Sequence, residues 1–379
     1  MMKNFLYLFL LVAILFYGCS LESLDGEPSL NDGEGDNNTG QPGLLTAGEW
    51  NDLTNWEFWG SILNNQEYSN MPAYWSFFTN NRVSVQILDA SLNPVIDARV
   101  DLKRNDATIF SARSDNGGQA ELWVDLFQYS NSVEASSLVI DVNNGESVLT
   151  DVNLSHSGVN SITLSNAQAS NRVEISFVVD ATGSMGDELE FLKTELLDVI
   201  ERVKDEHPNV EMYTSSVFYR DQGDEYVARI SAFTSNITET INFIKDQRAS
   251  GGGDYPEAVH TALDKAINEL QWAYTARTRL LFLVLDAPPH YRMDVISSLQ
   301  NSITSAAQKG IKLIPVTASG INKETEFLMR FFAIATNGTY VFITDDSGVG
   351  NSHLEPTVGD YEVELLNNLL VRLINKYSE

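Results

Sequence analysis

The chain has 379 residues, 43% of them hydrophobic, and a formal net charge of −28 from 52 acidic against 24 basic side chains. The length suits two or three domains and the apolar fraction a sizeable core. The charge excludes a nucleic-acid surface, which depends on Lys and Arg neutralising phosphates, and favours cations, basic surfaces or plain solubility.

Residues 1–19 read as a targeting segment, to be set apart from the fold. Lys3 supplies the positive end, and Phe5 to Tyr17 is an apolar run broken only by tyrosine hydroxyls. It is shorter than the roughly 20 residues a spanning helix needs. It ends at Gly18-Cys19, and Cys19 is the sole cysteine, so no disulfide staples the fold. The pattern resembles a bacterial lipoprotein signal, which implies that a lipidated Cys19 holds the protein in the outer membrane, facing the periplasm or the outside. Phe16-Tyr17 departs from the usual leucine and small residue, and an ordinary signal peptide or short anchor is the alternative. Residues 20–43 hold six acids and no base among Gly, Asn, Pro and Ser, which predicts a disordered tether. Its first acids resemble the surface-export signals of Bacteroidota lipoproteins; a solvated linker is the alternative.

Residues 44–82 are aromatic-rich, with Trp50, Trp56, Trp59 and Trp75 among them. A platform for sugars or peptides is one role; packing the tether onto the next domain is the expected one, since such rings bury large areas. Residues 83–165 predict about seven short strands: 83–89, 98–104, 107–115, 119–126, 137–142, 147–154 and 161–165, with turns at Pro94, Asn116-Gly117-Gly118 and Asn143-Asn144-Gly145. That spacing is a small β-sandwich. The stretch from Asn93 to Val124 resembles the carboxypeptidase-regulatory-like sandwiches of secreted bacterial proteins, which implies a spacer or interaction module.

From about Asn171 strands and helices alternate. Apolar strands are predicted at 173–179, 210–219, 226–233, 280–286, 311–318 and 339–344. Helices are predicted at 187–206, near 236–248, after Gly253, between the later strands, and at 361–378. Near-continuous apolar strands between helices give an α/β fold, a doubly wound and mostly parallel sheet preceded by the all-β sandwich. Such sheets bind ligands outside the carboxyl ends of the strands, where strand order reverses. Asp180 ends the first strand and Asp286 the fourth, so both are expected side by side on that edge.

The run Asp180-Ala-Thr182-Gly-Ser184-Met185 puts a carboxylate and two hydroxyls at alternate positions on a strand-to-helix turn. This is half a shell for a hard divalent cation, which takes oxygen ligands. Together with Asp286, and with the stretches around Tyr219-Arg220-Asp221, Gly251-Gly252-Gly253-Asp254-Tyr255-Pro256-Glu257 and Leu285-Asp286-Ala287-Pro288-Pro289-His290, it resembles the von Willebrand factor A domain over 171–379. The four stretches together resemble a subgroup that includes the A domains of some α-kinases. The resemblance implies a Rossmann-like fold and a metal-ion-dependent adhesion site with Asp180, Thr182, Ser184 and Asp286 as donors. Mg2+ is the expected ion, with Ca2+ or Mn2+ as alternatives, and the expected partner is a protein bound at the metal edge.

The family's second-loop threonine falls near Gly253, followed by Asp254. Asp254 is read as a further donor, or else as the cap of a helix starting Asp254-x-Pro256-Glu257. Two carboxylates neutralise a divalent ion; a third makes the site net negative, with tighter metal and a weaker hold on an acidic partner. Ser184-x-x-Asp187 also reads as a capping box, and Asp286 as a structural strand-end carboxylate. Asp221 and Asp224, on the loop after the second strand, are candidates for a second cation or a partner contact, with a solvated turn as the alternative. His290 reads as a packing or partner-contact residue.

No catalytic constellation stands out. There is no Gly-x-Ser-x-Gly elbow or His-Glu-x-x-His, and Gly251–Gly253 lacks the Lys of a phosphate loop. The expectation is a non-enzymatic, membrane-anchored binding module. A periplasmic scaffold or assembly factor with a structural metal is the alternative, and a metal-dependent hydrolase a weaker one.

Overall fold

The computed structural model describes residues 43–165, 170–348 and 351–379; Cys19, the targeting run and the tether up to residue 42 lie outside them. The aromatic lead-in folds into β1 (Thr46–Trp50), α1 (Trp56–Ile62) and α2 (Met71–Trp75). Seven strands follow: β2 (Arg82–Asp89), β3 (Arg99–Arg104), β4 (Ala107–Arg113), β5 (Gln119–Trp123), β6 (Leu138–Val142), β7 (Ser147–Leu149) and β8 (Asn160–Leu164). They form two small sheets, ordered β5-β2-β8 and β4-β3-β6-β7. All their pairings are antiparallel except β2 with β8. Val83, Val85 and Ile87 of one sheet and Val100, Leu102 and Ile140 of the other share one core, the alternation that a pleated strand requires.

The larger unit comprises β9 (Arg172–Asp180), α3 (Leu189–Glu206), β10 (Glu211–Tyr219), β11 (Ala228–Thr234), α4 (Ile237–Lys245), α5 (Val259–Asp264), β12 (Thr278–Leu285), α6 (Met293–Lys309), β13 (Ile311–Thr317), α7 (Lys323–Ala335), β14 (Tyr340–Thr344), β15 (Glu364–Leu365) and α8 (Leu366–Ser378). Its sheet runs β11-β10-β9-β12-β13-β14-β1-β15. The five strands from β10 to β14 are parallel; β11, β1 and β15 pair antiparallel at the flanks. After β9 the chain winds outward through β10 and β11, then returns to β9's other side as β12. The switch point therefore lies between β9 and β12.

Residues of β9 alternate between two cores. Val173, Ile175, Phe177 and Val179 meet Leu192, Leu196 and Val199 of α3 and Leu369, Leu370 and Leu373 of α8. Val178 faces the opposite side, whose core holds Val259 of α5, Leu299 of α6 and Phe327 of α7. Burial on both faces explains why these strands are apolar throughout.

The lead-in packs as expected but reaches further. Trp56 meets Trp123 of the sandwich with ring centroids 5.9 Å apart. Trp59 and Phe77 stack on Phe327 and Phe331 of α7, at 5.6 and 4.3 Å. β1 itself is a strand of the large sheet, register-paired with β14 from Thr46↔Thr344 to Trp50↔Tyr340. Three helix starts also differ from the sequence expectation, and the last helix, α8, begins at Leu366 behind β15 rather than at 361. Residues Gly183–Asp187 wind as a 3-10 turn, so α3 starts only at Leu189, and Glu188 before it makes no side-chain cap. α5 begins at Val259 rather than at Asp254, also without a side-chain cap. Among the described residues no helix is long and apolar enough to cross a membrane.

Candidate metal centre

The parallel pairing of β9 and β12, in register to Val179↔Val284, brings Asp180 and Asp286 to the same carboxyl edge. Both are buried, at 0% and 5% exposure, and the charge of Asp286 acts on Asp180. Asp180 is oriented by its own loop: the N–H and the hydroxyl of Thr182 donate to its Oδ1 at 2.8 and 2.7 Å. Thr182 is fully buried, and its Oγ1 lies 3.2 Å from Ser184 Oγ. Asp180 Oδ2 has no hydrogen-bond partner. The Tyr219 hydroxyl is buried against the same carboxylate and makes only a loose contact with it, outside good hydrogen-bond geometry.

Backbone bonds knit three loops around these groups. Ala181 N–H donates to Tyr219 O at 2.8 Å, Gly183 N–H to Gly251 O at 3.0 Å and Ser250 N–H to Ala181 O at 3.0 Å. Gly252 has φ +72°, and a Cβ there would lie 2.9 Å from Glu257 Oε1 and 3.2 Å from Thr182 Cβ. The glycine thus lets the second loop close between the first loop and Glu257. Asp224 is committed to the same task, its Oδ2 accepting from Asp221 N–H at 3.1 Å and Gly252 N–H at 2.9 Å.

Glu257 is the site residue that the sequence pattern conceals, because Asp254-x-Pro256-Glu257 reads as a helix start. Its backbone N–H donates to Pro288 O at 2.9 Å, which anchors it beside the loop after β12. Its side chain is 2% exposed, and Oε2 has no partner. Burial, then the charges of Asp180, Asp221, Asp286 and Asp224, push its pKa up to about 9. Burial and the neighbouring Asp286 push Asp180 up to about 7. The signal that could have found Glu257 is a carboxylate set directly before Ala258 and Val259, both fully buried.

Of the other expected residues, Asp254 is exposed and stands with Asp221 and His290, their ligand atoms all within 4.8 Å of one another. His290 Nε2 lies 2.8 Å from Asp221 Oδ1. Two neighbourhoods thus share the edge: a buried one of Asp180, Thr182, Asp286 and Glu257, and a rim of Asp221, Asp254 and His290. The buried one fits a dication. Carboxylates this desolvated resist ionisation unless a cation offsets the burial, and a buried carboxylate oxygen without a partner is one that a bound ion would satisfy. Oxygen-only donors suit a hard ion.

The family model for the von Willebrand factor A domain matches residues 174–349, from β9 past β14, and this region is such a domain, with a mostly parallel central sheet flanked by helices. A putative ariadne-like RING finger protein, R811 of Acanthamoeba polyphaga mimivirus, is 32% identical over 133 residues, 35% of this chain and 13% of that protein. Alpha-protein kinase vwkA of Dictyostelium discoideum is 30% identical over 220 residues, 58% of this chain and 34% of the kinase. Most of each relative therefore lies outside the shared region. Among solved structures, the conserved hypothetical protein BatB from Bacteroides thetaiotaomicron aligns over 54% of this chain and 98% of its own, at 16% identity and TM-score 0.38. An aerotolerance-related membrane protein from Bacteroides fragilis aligns over 54% and 99%, at 15% identity and TM-score 0.35.

Proposed function

We propose that the A domain is a non-enzymatic protein-binding module whose contact edge is organised by a divalent cation. Asp180, Thr182, Ser184 and Asp286 are its donors, and Glu257 supplies a third carboxylate in place of Asp254. The observation that carries this is the gathering of three buried carboxylates, Asp180, Asp286 and Glu257, beside the switch point, with Glu257 Oε2 left without a partner. Mg2+ is the leading ion, with Ca2+ or Mn2+ as alternatives. When bound, it supplies positive charge and a coordination position for an oxygen of the partner. The chain's own residues prepare the edge: Thr182 fixes the Asp180 carboxylate, and Asp224 pins the second loop through Gly252.

Three carboxylates against a dication leave one negative charge, so an acidic partner group is disfavoured and a neutral or basic one favoured. The same charge favours, as a second reading, a periplasmic scaffold or assembly factor in which the ion only stabilises the fold. A lipid on Cys19, which lies outside the described residues, would tether either to the outer membrane. The adhesion role is tested by recovering partners from the native envelope with and without chelator, alongside the melting temperature of Asp180→Ala. Metal-dependent recovery that Asp180→Ala abolishes supports adhesion. Recovery indifferent to chelator, with Asp180→Ala lowering only the melting temperature, replaces it with the scaffold.

A further inference from the structure

We infer that Asp221, Asp254 and His290 form a second cation site on the rim, built for a transition-metal dication of the Zn2+ or Mn2+ class. The three side chains come from three separate loops: Asp221 follows β10, Asp254 lies in the glycine-led loop before α5, and His290 lies after β12. Their ligand atoms nevertheless converge within 4.8 Å of one another. Each loop is held independently of any ion. Asp221 is 6% exposed, and its backbone N–H is bound to Asp224. The segment of Asp254 is tied through Gly252 N–H to the same Asp224. The loop carrying His290 is bridged to the Glu257 segment through Pro288 and Pro289. The convergence is therefore built into the backbone.

An Asp221–His290 contact alone could be a simple ion pair. Two further observations go beyond that. Asp254 is a second carboxylate brought to the same imidazole, and its exposure leaves an entry path. Behind the rim, Glu257 is 2% exposed, its Oε2 has no partner, and Asp221 is among the charges that act on it. Glu257 thus stands between the two neighbourhoods, a donor of the buried one and near enough to the rim for the charge of Asp221 to act on it. Two carboxylates with one imidazole are a mixed oxygen and nitrogen donor set. It favours Zn2+, Mn2+ or similar ions over Mg2+, which takes oxygen donors and water. The buried Asp180 and Asp286 neighbourhood offers only oxygen, so the two sites differ in the ions they select.

The test is calorimetric titration of the chelator-treated, full-length protein with ZnCl2, MnCl2 and MgCl2. Two equivalents of Zn2+ or Mn2+ and one of Mg2+ are expected. His290→Ala and Asp254→Asn should each weaken one Zn2+ or Mn2+ site by at least about tenfold, the loss that even outer partners of a ligand cause. Both should leave the Mg2+ isotherm unchanged. Asp180→Asn should remove Mg2+ and spare the rim site, so failure of the buried site and failure of the rim site are distinguishable. His156→Ala alters an exposed histidine of the sandwich and should change nothing. Asp254 is exposed, so its variant keeps the fold and the melting temperature confirms this. A single equivalent of every metal, or two equivalents surviving in both His290→Ala and Asp254→Asn, or a loss on His156→Ala, overturns the assignment.

Discussion

Asp180 and Glu257 carry an electrostatic cost whose sign is set by burial. Their ordinary values of 3.8 and 4.5 rise to about 7 and about 9 in the folded chain, in each case chiefly through desolvation. Between the two limits the folded state keeps protons that the unfolded chain has released, so stability falls as pH rises. For Asp180 the window runs from 3.8 to about 7, and for Glu257 from 4.5 to about 9. A bound dication favours the ionised carboxylates and removes that slope. Chelated protein is therefore expected to lose melting temperature from about pH 5 to about pH 8, and added Mg2+ to raise it more at the upper value. Thermal unfolding at both values, with and without chelator, checks this; an equal rise at both contradicts it. Glu257→Gln keeps the shape and removes the charge. It should raise the melting temperature of the chelated protein near pH 9 by a few degrees and weaken Mg2+ binding, as a paired melt and titration would show.

At the scale of elements, the edge depends on how closely the second loop approaches the first. Gly252 combines φ +72° with two tight neighbours, whereas Gly253 has open space around its missing Cβ. Gly252→Ala should cost about 1–2 kcal/mol from the left-handed backbone alone and displace Glu257 or Thr182. Gly253→Ala should be near neutral. Melting temperatures and Mg2+ affinities of the pair decide it, and equal behaviour would mean that the close approach is irrelevant. The same scale separates what was legible in the sequence from what was not. Asp180 and Asp286 were legible because each ends an apolar run, and parallel strands put such ends on one edge. Thr182 and Ser184 came with the turn. Asp254 fitted a local capping pattern that a tertiary contact overrides. The Glu257 N–H, which an Asp254 cap would serve, is held instead by Pro288 O. The buried carboxylate of Glu257 and the meeting of Asp254 with His290 are products of loop convergence, which no single stretch encodes.

Across the whole molecule, the A domain's sheet and core draw on residues far upstream of 174. Thr46 and Thr344, which pair across β1 and β14, are separated by 298 positions. The sequence Thr46-Ala-Gly-Glu-Trp50 is too short and too ordinary to announce such a partner, so β1 was not legible. Arg330 of α7 is wholly buried, and it is held by Asp52, with Nη2 to Oδ1 at 2.6 Å and Nε to Oδ2 at 2.9 Å. Glu326 lies on its other side at 3.3 Å. Removing one partner of a buried ion pair costs about 3–5 kcal/mol, because the other charge is left uncompensated; Asp52→Ala should therefore lose that much in denaturant unfolding. A chain cut to residues 171–379 loses Asp52, the β1 pairing of β14, and the Trp59 and Phe77 rings that cover Phe327 and Phe331. It is expected to melt well below the chain of residues 43–379, to bind a dye for exposed apolar surface, and to hold the cation more weakly because α7 and β14 are loosened. Identical melting temperatures for the two chains would make the upstream segment a passenger. A shared drop in stability and metal affinity would make residues 43–82 part of the folded unit that holds the metal edge in place.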